Sequence, residues 1–160
     1  MRLLTPSGKK MSIFGFLKRS RSETEVLSSP KSLSHQGKQL SLDLDCLPEI
    51  QGESEILSLD DIQRLSDCLP ARLIGTNWSL VFTTSTHGFS LASLYRKCME
   101  TSNPTLLCVE DTNDNIFGAF VSSPIKLHEH FYGTGESFLF TCKPESKIFK
   151  WSGDNQHFAR

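Results

Sequence analysis

The sequence predicts an α+β domain, with an antiparallel β-sandwich-like core and flanking helices. Two observations predict this class. Apolar residues recur at helical spacing in two segments, and five other short segments are alternating or wholly apolar and lie between turn residues. Because several loops between the predicted strands are short, antiparallel pairing is favoured over parallel crossovers.

Two helices are predicted from caps and periodicity. Ser58 and Asp61 form a capping pair, and Leu59, Ile62, Leu65 and Leu69 follow at spacings of three and four, up to Pro70. The second helix begins after Ser90, with apolar Leu91, Leu94, Tyr95 and Cys98 on one side. Ser90 is better explained as a helix cap than as a nucleophile paired with His87.

Five strands are predicted: Trp78–Thr84, Thr105–Glu110, Ile116–Val121, Ser137–Cys142 and Ile148–Trp151. The polar cluster Asp111–Asn115 joins two of them as a hairpin, and Lys143-Pro144-Glu145 joins two others. Gly118 lies inside a strand, which indicates a bulge or a close approach of another backbone.

The chain is predicted to divide into a disordered basic, Ser-rich tail and linker over residues 1–55 and a folded part over residues 56–160. Residues 1–38 contain 8 Lys and Arg but 2 acidic residues, and 13 of the 15 aromatic residues lie from Trp78 onward. A segment so poor in aromatic residues supplies little core. Order is therefore expected to begin near Ser58.

Two other interpretations of the tail remain open. Residues 1–22 contain arginine and serine residues but no acidic residue, which also fits a mitochondrial presequence. A weak membrane-surface anchor would instead insert Ile13, Phe14, Phe16 and Leu17 beside Lys18 and Arg19. Ser20 and Ser22 lie in a pattern for basophilic kinases, and Ser29 lies in one for proline-directed kinases, so phosphorylation would reduce the positive charge.

Composition excludes several classes of protein. A net charge of −1 argues against a nucleic-acid partner. No apolar run approaches the ~20 residues of a membrane-spanning helix. Five cysteines form an odd set without a C-x-x-C pair, which favours reduced thiols in the cytoplasm or nucleus over disulfides or a zinc site.

The candidate chemical sites are weak. Gly133-Thr134-Gly135 lacks the third glycine and the lysine of phosphate-binding loops, so a tight turn with positive φ is the better interpretation. His128 and His130 would share a face but lack a third ligand, so no metal or cofactor is predicted. Cys98 and Cys108 are expected to be buried, and Cys142 could be accessible at a strand end. No catalytic residue is predicted.

Six segments, in this order, resemble the TLDc domain family, the module of the oxidation resistance proteins: Trp78–Phe82, His87–Leu91, Leu94–Lys97, Ile116–Phe120, Phe131–Phe140 and Phe149–Asn155. The resemblance covers about residues 56–160. It implies a β-sandwich of two antiparallel sheets and a non-enzymatic function in the oxidative stress response, as an interaction module that regulates the V-ATPase. It also implies that a set of motif residues is either partner-binding or fold-defining: Gly118, Gly133, Thr134, Gly135, Glu136, Trp151 and Gly153.

The sequence departs from the family pattern at its C-terminal side, where family domains continue beyond the Phe149–Asn155 motif. The folded part is therefore expected to be the N-terminal portion of a TLDc domain, from a fragment, an isoform or a mispredicted gene product, with unpaired sheet edges and poor stability. Two alternative functions follow. One is a thiol-based antioxidant enzyme that uses Cys142, and the other is a non-functional or membrane-tethered regulatory fragment.

Overall fold

The computed structural model describes residues 9–17, 48–155 and 157–159. Its strands are β1 Lys10–Leu17, β2 Ile50–Gln51, β3 Asn77–Thr83, β4 Thr105–Glu110, β5 Ile116–Val121, β6 Phe138–Lys143 and β7 Lys147–Lys150. Its α-helices are α1 Leu59–Cys68, α2 Thr84–His87 and α3 Leu91–Met99, and a 3-10 helix spans Ala71–Leu73. The α+β class is confirmed, and so are both predicted helices and all five predicted strands.

The strands of the described residues form one sheet in the order β2-β3-β1-β4-β5-β6-β7. Every neighbouring pair is antiparallel except β2 and β3, which run parallel. The two-sheet arrangement of a sandwich is not present among these residues. Helices pack on parts of the sheet instead. No helix in the described part of the chain is long and apolar enough to cross a membrane.

The prediction of a disordered tail is wrong for Lys10–Leu17. This segment is β1, and it pairs with β3 along one edge and with β4 along the other. Ile13 and Phe14 are 1% and 0% exposed, so they are not available to insert into a membrane surface. The flanking basic residues dominated the composition and obscured a short apolar segment that a sheet can bury.

Order also begins earlier than Ser58. Ile50–Gln51 forms β2, and Ile56 and Leu57 are buried in the core. The predicted phosphorylation sites Ser20, Ser22 and Ser29 lie outside the described residues.

The core has two layers, one on each face of the sheet. The larger layer lies under α1 and the 3-10 helix. It contains Phe14, Ile62, Leu65, Leu73, Trp78, Leu106, Phe120, Phe138 and Phe140. The smaller layer lies under α3 and contains Ile13, Phe82, Leu94 and Cys98. β1 therefore contributes one large side chain to each layer.

The start of α1 has the predicted capping box. Ser58 Oγ accepts a hydrogen bond from the Asp61 N–H at 3.2 Å, and the Asp61 carboxylate accepts one from the Ser58 N–H at 3.1 Å. These bonds satisfy donors that a helix start leaves unpaired. Ser90 caps α3 in the predicted way, with its Oγ 3.3 Å from the Ser93 N–H.

Candidate functional site

The segment Phe131–Glu136 forms a turn between β5 and β6. Gly133 has a φ of +96°, in the region that favours glycine. The Ser137 N–H donates to the Thr134 carbonyl at 3.0 Å, and the Thr134 N–H donates to Ser122 Oγ at 2.8 Å. The turn is therefore tied both to itself and to the residue that follows β5.

Gly135 lies directly against the indole of Trp151. A Cβ at position 135 would stand 2.3 Å from Trp151 Cε3, closer than two carbon atoms can approach. The indole N–H donates to the Asn155 carbonyl at 2.8 Å, and the Phe158 ring centroid lies 5.4 Å from the Trp151 ring centroid. Trp151 is thereby fixed in orientation while it remains 43% exposed.

Glu136 is held by a residue that sequence reasoning missed. Arg72, at the centre of the 3-10 helix, places Nη2 2.6 Å and Nε 3.0 Å from Glu136 Oε2. Arg72 Nη2 also donates to the Ser122 carbonyl at 3.3 Å. Because these partners are 50 and 64 residues away in the chain, no local pattern could have indicated the contact.

The structure separates the other two glycines of the predicted set. Gly153 has a φ of +94° in the loop after Trp151 and faces open space. Gly118 lies in the middle of β5, where a Cβ would meet Leu107 O at 2.0 Å and Phe140 Cζ at 2.6 Å. The close approach expected at Gly118 is thus present. Gly118 therefore serves the packing of β5 between β4 and β6.

An exposed apolar groove adjoins the turn on the outer face of β5, β6 and β7. The cavity of about 340 Å³ is lined by Ala119, Val121, Leu139, Phe149, Trp151 and Phe158, among others. Leu139 and Phe149 pair across β6 and β7 and are 59% and 51% exposed. We call this surface, with Trp151 at its end, the outer groove. Aromatic and aliphatic side chains exposed together in this way are typical of an interaction surface.

Three of the described cysteine thiols, those of Cys98, Cys108 and Cys142, are poorly suited to catalysis. Burial raises the pKa of Cys142 to about 12 and that of Cys98 to about 11, and it also raises the pKa of Cys108 well above its ordinary value. Cys142 is buried, contrary to the expectation that it could be accessible. Since the thiolate is the reactive form, these positions disfavour thiol-based peroxide chemistry.

The two candidate histidines lie on the surface. The His130 N–H donates to His128 Nδ1 at 3.1 Å, so one of the ring nitrogens is engaged locally. Within residues 9–17, 48–155 and 157–159, no group of three or more His, Cys, Asp or Glu side chains is arranged to hold a metal ion.

Comparison with known proteins identifies the domain. The TLDc domain model matches residues 50–159. Oxidation resistance protein 1 of Xenopus tropicalis is 45% identical over 113 residues, which is 71% of this chain and 13% of that protein. Human nuclear receptor coactivator 7 is 44% identical over 116 residues, or 72% of this chain and 12% of that protein. Rat oxidation resistance protein 1 is 40% identical over 141 residues, which is 86% of this chain and 17% of that protein. The chain thus spans less than a fifth of the length of these relatives.

Proposed function

Because this chain belongs to the TLDc domain family, we propose that it is a non-enzymatic interaction module of the oxidative stress response, and that its partner is a subunit of the V-ATPase. Relatives named for oxidation resistance support the first part of the proposal. The V-ATPase is the partner that the resemblance to the family implies. The buried thiols give no support to the alternative of a thiol-based enzyme.

The observation that carries the proposal is the fixed, half-exposed indole of Trp151 at the end of the outer groove. Gly135 supports one face of the ring, and Asn155 accepts its N–H. A large aromatic side chain held in one orientation loses little entropy on binding, and tryptophan is enriched among the residues that dominate binding energy. The outer groove is therefore the proposed partner surface, with Trp151 as its anchor.

The Arg72–Glu136 ion pair supports this surface from behind. It links the turn that contacts Trp151 to the 3-10 helix Ala71–Leu73. Its side chains are 46% and 40% exposed, so it contributes little to stability. Its role in the proposal is to position the turn, and through Gly135 the indole.

We propose that the interaction takes place in a reducing compartment, the cytoplasm or the nucleus. Cys68, Cys98, Cys108 and Cys142 are all free thiols in the structure. Proteins of oxidising compartments usually convert such cysteines to disulfides.

Binding of the full chain to purified V-ATPase subcomplexes tests the proposal. We expect saturable binding at micromolar protein, measured by biolayer interferometry, and a weakening of about 10-fold or more for Trp151→Ala, which removes the anchor. Met99→Ala is the matched control, because Met99 is a 73% exposed apolar residue on α3, and it should bind like the unmodified chain.

Two outcomes would count against the proposal. Absence of binding at about 50 μM chain, with the far-UV circular dichroism of a folded protein, removes the V-ATPase as the partner. Equal affinity of Trp151→Ala and Met99→Ala for the V-ATPase would retain the partner but remove the outer groove as the binding surface.

Trp151→Phe, which keeps an aromatic ring over Gly135, should give an intermediate affinity.

A further inference from the structure

The sheet ends at β7, which pairs with β6 on one side. No strand or loop of the described residues forms backbone hydrogen bonds with its other side. In an edge strand, the N–H and C=O groups of alternate residues point away from the sheet and can pair with a further strand. β2, at the opposite end of the sheet, has only the two residues Ile50–Gln51, so β7 is the longer free edge in the described part of the chain.

A cavity flanks β7 on each face of the sheet. On one face, Phe149 lines the outer groove, which has a volume of about 340 Å³. On the other face, Ile148 lines a second cavity of about 290 Å³, together with Leu65 and Cys68 of α1 and Cys142 of β6. We call this second space the inner cavity. Because successive residues of a strand point to opposite faces, a strand added beside β7 would direct one side chain toward each cavity.

The charges on β7 favour an acidic partner. The strand begins with Lys147 and ends with Lys150. Lys150 forms no ion pair within the described residues, and Lys147 pairs with Glu145 at 2.7 Å, where both side chains are more than half exposed and the pair contributes little. Lysines on an edge strand oppose pairing with a strand of like charge, such as a second copy of β7. Asp61 and Asp67 line the inner cavity, which disfavours an acidic side chain in that cavity.

We propose that β7 is a strand-addition site for an extended segment of a partner protein with the pattern acidic–apolar–apolar–acidic. In this mode, main-chain hydrogen bonds supply affinity and side-chain pockets supply specificity. With the segment antiparallel to β7, its acidic residues lie opposite Lys147 and Lys150, and its apolar residues lie opposite Ile148 and Phe149. The inference rests on the proposed function in taking the outer groove as a partner surface, and it adds the chemistry of the segment that binds there.

The site is tested with the full chain and a fluorescein-labelled peptide, acetyl-Thr-Thr-Glu-Val-Val-Glu-Thr-Thr-amide. Fluorescence anisotropy should show saturable binding with a Kd of about 100 μM or below, and the same peptide with lysine in place of both glutamates should bind about 10-fold or more weakly. Two further peptides are N-methylated on alternate residues, one on each edge of the strand. Only the edge that faces β7 donates hydrogen bonds to it, so one of these two peptides should lose binding and the other should keep it.

Charge-swapped variants of the chain test the role of the lysines. Lys147→Glu combined with Lys150→Glu should bind the glutamate peptide about 10-fold or more weakly and should bind the lysine peptide more tightly than the unmodified chain does. Arg96→Glu combined with Lys126→Glu is the matched control, because it makes the same change in net charge at two exposed residues outside β7. This control should bind both peptides like the unmodified chain.

Hydrogen exchange locates the bound peptide. Amides of β7 that point away from β6 should gain protection when the glutamate peptide binds, whereas the exposed amides of the Asp111–Asn115 turn should not change.

Four results would overturn the proposal: no binding by the folded chain up to about 1 mM glutamate peptide, equal binding of the glutamate and lysine peptides, equal binding of the two methylated peptides, or a concentration-dependent dimer that excludes the peptide. In the last case the edge would belong to a second copy of the chain. None of these measurements uses the V-ATPase. A chain that binds the peptide but not the V-ATPase would keep this site and lose the proposed partner, and the reverse result would remove this site alone.

Discussion

At the scale of single residues, two of the described glycines, Gly118 and Gly135, are required by their neighbours. Gly118 has an ordinary strand conformation, but the Leu107 carbonyl on β4 and the Phe140 ring on β6 leave no space for a Cβ. Gly135 is similarly covered by Trp151. The requirement is steric and arises from residues far away in the chain, so it differs from the positive φ that favours glycine at position 133.

Gly118→Ala should destabilise the fold by about 2 to 3 kcal/mol, because the added methyl group forces two strands apart. Urea unfolding followed by tryptophan fluorescence measures this free energy. Gly15→Ala in β1 is the matched control, since its methyl group would meet only side-chain methyl groups at 3.3 Å and 3.8 Å, and it should cost less than about 1 kcal/mol. Equal losses for the two variants would contradict the steric argument at Gly118.

The buried thiol of Cys142 allows a second prediction at this scale. Burial raises its pKa from 9.0 to about 12, so the thiolate fraction near neutral pH falls by about 1,000-fold. Iodoacetamide at pH 8 should therefore label Cys142 more than about 100-fold more slowly in the native chain than in guanidinium chloride. Labelling is measured for each cysteine by mass spectrometry, and a native rate close to the denatured rate would show that the thiol is accessible and reactive.

At the scale of elements, the turn between β4 and β5 is organised by one carboxylate. Asp111 accepts hydrogen bonds from the Asn115 side-chain amide at 2.9 Å, the Asn115 N–H at 2.9 Å and the Asn113 N–H at 2.8 Å. Asp114 takes a φ of +60° inside this turn. The polar cluster that predicted a hairpin thus forms a local network which closes the loop and fixes the pairing of β4 with β5.

This network makes the hairpin sensitive to acid. The hydrogen bonds, led by the one from the Asn115 side chain, lower the pKa of Asp111 below its ordinary value of 3.8. Because the pKa is lowered, the unfolded chain binds the proton more tightly than the folded chain does. The contribution of the ionised Asp111 to folding stability is therefore fully present above about pH 4 and is lost as the pH falls further. Titration of the Asp111 carboxyl carbon by NMR should show the low pKa.

Two variants separate the causes of that shift. Asn115→Ala removes the side-chain donor and should move the pKa of Asp111 back toward 3.8. Asn113→Ala keeps the backbone N–H that binds the carboxylate, so it should leave the pKa nearly unchanged. A titration of Asp111 that is the same in both variants would contradict the assigned order of causes.

At the scale of the whole molecule, β1 joins two parts of the sheet. On one side lie β2 and β3, and on the other lie β4 to β7. Phe14 and Ile13 reach into both core layers, so the strand links the layers as well as the strands. Stability of the whole sheet should therefore depend on a segment that lies outside the family match.

Phe14→Ala should lower the free energy of unfolding by about 3 to 5 kcal/mol, as is usual for removing a fully buried phenylalanine. Lys9→Ala, at an exposed position beside β1, should change it by less than about 0.5 kcal/mol. Hydrogen exchange should show that the amides of β3 and β4 lose protection together in Phe14→Ala. Loss of protection in only one of the two strands would mean that β1 does not couple them.

The sequence by itself determined the local elements and the family. The caps of α1 and α3, the five strands from Asn77 onward and the turn at Asp111–Asn115 depend on interactions within a few residues, so periodicity and capping residues were enough to predict them. The motif order was likewise sufficient to identify a TLDc domain.

Only the tertiary structure decided where β1 goes and how the outer groove is built. Lys10–Leu17 is short and flanked by basic residues, and its burial depends on two neighbouring strands that lie 60 or more residues away in the chain. The same holds for the contact of Gly135 with Trp151 and for the pairing of Arg72 with Glu136. These features arise from packing between distant segments. A local sequence pattern does not indicate which distant segment will pack against it.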